Sequence, residues 1–156
     1  MTNDLSDLLS HDLILTDVVA SSKKALFQHI AAISGAALAL DPAPIAAALA
    51  EREKLGSTGF GGGVAIPHAR VAGLARIVVL VAQLARPIDF AAVDDAPVDI
   101  VVAMLSPVNA GAEHLKALAR VSRRFRDRAF VGKLRGAGSG DAFYALLAAD
   151  EAREAS

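Results

Sequence analysis

At 156 residues, with 54% hydrophobic positions and a formal net charge of −1, the chain is sized for one ordinary globular domain and carries no charge excess to draw it to nucleic acid. It has no cysteine, which excludes disulfides and thiolate metal sites and points to a cytoplasmic rather than a secreted setting. The longest apolar runs, Ile77–Ala82 and Ile100–Leu105, are strand length and far short of the roughly 20 residues that cross a bilayer, and MTNDLSDLLS lacks the basic region of a secretory signal.

In chain order, Ser21 or Ser22 can cap a helix running to about Leu40, with Leu26, Ile30, Ile33 and Ala37 on one face at helical spacing. Asp41 followed by Pro42 starts a second helix, and Gly56 after Leu55 stops it. Strands are predicted at Val64–Ile66, Ile77–Leu84 and Val98–Leu105. The last two are nearly continuous apolar runs, so both faces of their sheet should be covered by helices. Helices recur at about Ala112–Phe125, Ala129–Leu134 and Asp141–Ala148, separated by Asp127 and the GAGSG turn. No repeat or linker interrupts the chain, which predicts a single α/β domain over residues 1–156 with a central sheet flanked by helices.

The stretch richest in chemistry is REKLGSTGFGGGVAIPHAR, from Arg52 to Arg70. Gly56, Gly59, Gly61, Gly62 and Gly63 permit positive φ and close backbone approach, so their amides could line an anion nest, with Ser57 and Thr58 adding hydroxyl donors. Pro67 stiffens the backbone that delivers His68. A nucleotide-binding P-loop is excluded because no Gly-Lys-Ser/Thr closes the loop. The dinucleotide fingerprint is excluded because the glycines lead into Val64, Ala65, Ile66 and a proline instead of a helix. What remains is an anion-binding loop feeding a histidine, with a surface turn histidine as the bland alternative.

This segment resembles the phosphorylation-site signature of the IIA proteins of the bacterial sugar phosphotransferase system, fructose/mannitol type, and of their nitrogen-regulatory branch. The resemblance continues through PIDFAAVDDAPVDIVVAML at Pro87–Leu105 and EHLKALARVSRRFRD at Glu113–Asp127, and spans about Leu13 to Leu147. It implies a mixed central sheet, His68 as phosphoryl acceptor, and His114 and Arg52 as groups that stabilise the phosphoryl group. Gly56, Ser57, Thr58, Gly59 and Gly61 would form the phosphate-binding loop. The chain departs from the family pattern at Gly62, where asparagine is expected, and at Ala69, where glycine is expected.

The resemblance implies a phosphocarrier or regulator rather than an independent turnover enzyme, needing no cofactor or metal. Its partners would be an upstream histidine phosphocarrier protein of the HPr or NPr kind and regulatory targets such as a potassium transporter or a sensor kinase, with no nucleic acid and no membrane insertion. Two alternatives stand beside it: a sugar-specific IIA component passing phosphate to a IIB domain, and a binding module for an anion or partner that is never phosphorylated. His114 could be an ordinary early helical residue, and Arg52 an ordinary helix-end cation. His11 is expected in a loose N-terminus and His29 on an exposed helix face. Asp89, Asp94, Asp95 and Asp99 read as turn residues rather than a metal site. Lys116, Arg120, Arg123 and Arg124, followed by Arg126 and Arg128, read as a solvated stripe opposite Leu115, Leu118, Ser122 and Phe125.

Overall fold

The computed structural model describes residue 5 and residues 7–149. Among these, β1 (Ile14–Val18), β2 (Gly59–Gly61), β3 (Val64–Ala65), β4 (His68–Val71), β5 (Val78–Ile88) and β6 (Val98–Pro107) form one mixed sheet, ordered β1-β5-β6-β3-β2 with β4 also on β6. β1 runs parallel to β5, β5 antiparallel to β6, and β3 and β4 both parallel to β6. Around the sheet lie α1 (Lys23–Leu38), α2 (Pro42–Lys54), α3 (Ala112–Phe125), α4 (Arg128–Arg135) and α5 (Gly140–Ala148).

The near-continuous apolar runs of β5 and β6 are buried on both faces. Val101, Ala103 and Leu105 join Leu26, Ile30, Ile45 and Leu49 of α1 and α2 on one side. Ile100, Val102 and Met104 join Val121, Phe125, Phe130, Leu134 and Phe143 of α3, α4 and α5 on the other. The period of two along β6 sorts alternate side chains into two separate cores. Four of the five helix starts are fixed by a short polar side chain that accepts an otherwise orphaned amide, whereas α3 starts at Gly111 with no side-chain cap. Ser22 accepts from Ala25, Asp41 from Ala43, Asp127 from Ala129 and Phe130, and Ser139 from Ala142.

Several expectations shift. In α1 the buried side is Leu26, Phe27, Ile30, Ala31 and Ser34, whereas Ile33 is half-buried and Ala37 exposed. β1, β2 and β4 are strands that the sequence analysis does not place. The N-terminal segment is packed: Leu5, Leu8 and Leu9 are buried, and the Leu8 carbonyl accepts from Val79 N–H at 3.0 Å. His11 begins a short 3-10 turn (His11–Leu13), and its side chain lies outside the described residues.

Candidate functional site

β3 and β4 are two pieces of one line of chain running beside β6, separated by Ile66 and Pro67. Val64 sits opposite Ile100, and His68 opposite Met104. Pro67 has no N–H to give, but its carbonyl accepts from Met104 N–H at 2.9 Å, so the seam is held across the break. The break turns the Ile66 carbonyl toward the His68 ring, where it lies 2.9 Å from Nδ1. A carbonyl oxygen only accepts, so Nδ1 carries the proton and Nε2 keeps the lone pair. Arg52 Nε–H donates to that lone pair at 3.1 Å. Burial of the ring is the main influence lowering the His68 pKa. The Arg52 charge acts in the same direction, against the Ile66 hydrogen bond and the Glu53 charge. His68 is therefore held neutral near pH 7, with Nδ1 protonated and the Nε2 lone pair facing Arg52.

Arg52 arrives from the last turn of α2, with Nη1 donating to the Gly56 carbonyl at 3.0 Å. Both of its partners are neutral. His114, the third residue of α3, is buried with its ring centroid 5.9 Å from that of His68, at an interplanar angle of 55°. Its Nδ1 lies 2.8 Å from Oγ of Ser106, a fully buried residue of β6. Burial lowers the His114 pKa, with help from the charge of Arg70. The structure thus brings His68, Arg52 and His114 together. Ser106 was missed by the sequence reading; its signal is a lone hydroxyl directly after the apolar run that ends at Leu105.

The glycine-rich loop is organised differently from an open nest. Glu53 Oε1 accepts from the Thr58 hydroxyl at 2.7 Å, its carboxylate accepts from Thr58 N–H at 3.1 Å, and Lys23 Nζ pairs with it at 2.7 Å. The Ser57 hydroxyl donates to the Phe90 carbonyl at 2.6 Å and accepts from Gly59 N–H at 3.0 Å. Gly56 N–H donates to the Glu53 carbonyl at 3.2 Å. Here both hydroxyls and the amides of Gly56, Thr58 and Gly59 are committed within the half-buried loop rather than presented together as an open anion nest. Gly59 lies in β2, where a β-carbon would come within 2.8 Å of Ala92, so close packing rather than a positive φ requires glycine there. Gly61 follows in the same strand, beside Asp94. Ala69 sits in β4 and is absent from the residues with positive φ, so alanine costs nothing there.

The stripe on α3 also needs correction. Its inward line is His114, Ala117, Val121, Arg124 and Phe125, whereas Leu115 is 66% exposed. Arg124 is buried, with its guanidinium 3.7 Å from the Phe130 ring centroid, and Arg120 grips the exposed Asp7 carboxylate through both Nη atoms at 3.0 and 2.6 Å. Among the acidic residues, Asp89 and Asp94 accept turn amides and Asp99 pairs with Arg135. His29 is exposed, as expected.

Residues 7–150 match a family described as "Phosphoenolpyruvate-dependent sugar phosphotransferase system, EIIA 2". The chain is 42% identical over 144 residues to a nitrogen regulatory protein of Bradyrhizobium diazoefficiens, covering 92% of this chain and 94% of that one. A nitrogen regulatory protein of Escherichia coli K12 is 35% identical over 147 residues, covering 94% and 90%. Among solved structures, the nitrogen regulatory protein IIA-Ntr of Neisseria meningitidis superposes with a TM-score of 0.85 at 34% identity, covering 92% of this chain and 98% of that one. IIA mannitol of Escherichia coli shares the fold, with a TM-score of 0.74 at 20% identity, covering 89% and 98%. The chain belongs to the EIIA type 2 family of the phosphoenolpyruvate-dependent sugar phosphotransferase system, with nitrogen regulatory proteins among its relatives.

Proposed function

We propose that the chain, as one EIIA-type domain in the cytoplasm, accepts a phosphoryl group on His68 from an upstream histidine phosphocarrier and, by its phosphorylation state, regulates partner proteins. The observation that carries this reading is the tautomer: Nδ1–H is tied to the Ile66 carbonyl, leaving the Nε2 lone pair facing Arg52. In the step, Nε2 attacks the phosphorus of the carrier's phosphohistidine. The new N–P bond forms as the carrier's N–P bond breaks, and the carrier imidazole leaves with that electron pair. The proton on His68 Nδ1 stays in place, and its hydrogen bond to Ile66 supports the imidazolium charge.

Arg52 must exchange its bond to Nε2 for one to a phosphoryl oxygen as the attack proceeds, so its guanidinium follows the developing charge over a short rotation. His114 takes a second role. With Ser106 Oγ–H donating to Nδ1, the ring carries its proton on Nε2 and can donate it to a phosphoryl oxygen. Glu53 and Lys23 hold the loop beside Arg52 rather than touching the transferred group.

Incubation with phosphoenolpyruvate and the cognate relay proteins tests this directly. Wild type acquires an acid-labile, base-stable phosphate, His68→Ala acquires none, and His114→Ala labels at a reduced but measurable rate. Full labelling of His68→Ala overturns the assignment. Phosphorylation adds about −1.5 to −2 charges to a half-exposed ring, which favours regulatory partners that bind one form over the other. A pull-down with wild type, His68→Ala and His68→Glu should therefore recover different amounts of at least one protein, and identical recoveries count against regulation at this site.

A further inference from the structure

A second site-like feature lies at the other end of the seam between β3 and β6. Val64 is opposite Ile100 and His68 opposite Met104, so the two ends are separated by about 13 Å at ~3.3 Å per residue. There the turn between β2 and β3 faces the end of α3 and one side of α4 across a cleft of about 350 Å³, lined by Phe60, Gly62, Arg126, Arg128, Val131 and Arg135 among others. This is the small end of the size range of ligand pockets, ~300–1,000 Å³.

The three arginines differ in commitment. Arg135 is fixed, donating to both oxygens of Asp99 at 2.9 and 2.7 Å and to the Gly62 carbonyl at 2.7 Å. Arg126 and Arg128 form no ion pair among the described residues; the Arg126 guanidinium lies 5.9 Å from the Phe60 ring centroid. Asp94 accepts from the amides of Gly62 and Ala96 and interacts with the Arg128 charge at longer range, and Asp127 is occupied in capping α4. Arg135 is thus neutralised by Asp99, which leaves Arg126 and Arg128 as the lining cations without a carboxylate at ion-pair distance among the described residues. The cleft is therefore matched to one phosphate group rather than to a polyphosphate, with a half-exposed aromatic ring and an apolar wall beside it.

Gly62 lines this cleft, and its backbone conformation keeps the space open. Its φ is +68°, and a β-carbon there would lie 3.9 Å from the Arg128 guanidinium, so any side chain would start at the cleft wall next to the cation. Glycine leaves the space open. Asparagine tolerates the same left-handed backbone, so introducing it would narrow the cleft without straining the turn.

We infer that this cleft binds a nucleoside monophosphate, its phosphate held between Arg126 and Arg128 and its base stacked at Phe60, at a site separate from His68. Guanidinium pairs suit phosphate oxygens, and both Phe and Arg offer a flat face to a base. The test is an amide NMR titration of the full-length protein with AMP, GMP, CMP and UMP, with inorganic phosphate and adenosine as separate arms. At least one nucleotide should give saturable shifts at Gly61 and Gly62, with phosphate and adenosine each at least about tenfold weaker. Arg126→Gln with Arg128→Gln should weaken binding by about tenfold or more, and Gly62→Asn should weaken it while preserving the spectrum of the sheet. His68→Ala should bind as wild type, which separates this inference from the phosphoryl reading. The inference is overturned by any of four results: no saturation at millimolar nucleotide, inorganic phosphate binding as tightly as nucleotide, affinity unchanged in the arginine double variant, or loss of binding in His68→Ala.

Discussion

Arg52 and Arg135 occupy opposite ends of the same seam, and both guanidinium groups reach a backbone carbonyl in the glycine-rich segment, yet they are prepared for different work. Arg135 spends its charge on the Asp99 carboxylate, so it closes a local ion pair and holds the β2–β3 turn against α4. Among the described residues Arg52 hydrogen-bonds only neutral acceptors, the His68 Nε2 lone pair and the Gly56 carbonyl, so no carboxylate is hydrogen-bonded to it beside His68. An arginine in a glycine loop is thus read by what it touches: a carboxylate partner marks scaffolding, and a nitrogen lone pair marks a cation held ready.

If that contrast is right, Arg52→Lys should do the most damage of the variants that leave both histidines in place. Lysine keeps the charge but loses the planar fork, so phosphotransfer should slow by about tenfold or more with the melting temperature unchanged. A lysine variant that transfers at the wild-type rate makes Arg52 an ordinary helix-end charge. Ser106→Ala should be next. It leaves buried His114 Nδ1 without its partner and frees the tautomer, slowing transfer about fivefold, as expected for a loss of ~1 kcal/mol, with a comparable loss of stability in urea.

The histidines also make stability depend on pH. Unfolded histidine titrates near pH 6.5, whereas folded His68 and His114 both titrate lower because of burial. Between the folded and unfolded values the unfolded chain binds more protons, so stability falls as pH drops below about 6.5 and levels off below the folded values. Urea unfolding at stepped pH should show that slope, and His68→Ala should flatten it; an unchanged slope would mean the ring is not held neutral. The smallest effect is expected for Arg135→Leu at the other end of the comparison. Breaking a half-exposed ion pair should cost about 1 kcal/mol at most and leave phosphotransfer within about twofold of wild type.

How much of this could be read from the chain alone divides along similar lines. The helix starts were legible because Ser22, Asp41 with Pro42, and Asp127 act on amides two or three residues away, which is local chemistry. β5 and β6 were legible from their apolar runs. β2 and β4 were not, since short glycine-containing or polar segments such as His68–Val71 become strands only through pairing with distant residues of β6 or with β3. β1 was hidden by Asp17, whose φ of +56° marks an irregular register within the strand. On α3 the phase was misread because Leu115 looks like a core residue and Arg124 like a surface one. The fold inverts both, using the ring of Phe130 to cover the Arg124 guanidinium. At the candidate site His68 was legible from the glycine loop and the stiff Pro67 step, and His114 and Arg52 were named from the resemblance, while Ser106, a single hydroxyl at the end of an apolar run, carried no motif.

The interrupted seam at Ile66–Pro67 has one more consequence, and it concerns observation rather than chemistry. Pro67 carries no amide proton, so the peptide linking the His68 ring to the sheet is silent in amide spectra, but its carbonyl is read by Met104 N–H. Phosphorylation at Nε2 would draw the Nδ1 proton harder onto Ile66, and the strain would pass through the rigid proline to that single amide. Met104 stands opposite His68 on β6, two residues before Ser106, so its resonance would report phosphorylation at His68 with no label at the ring itself.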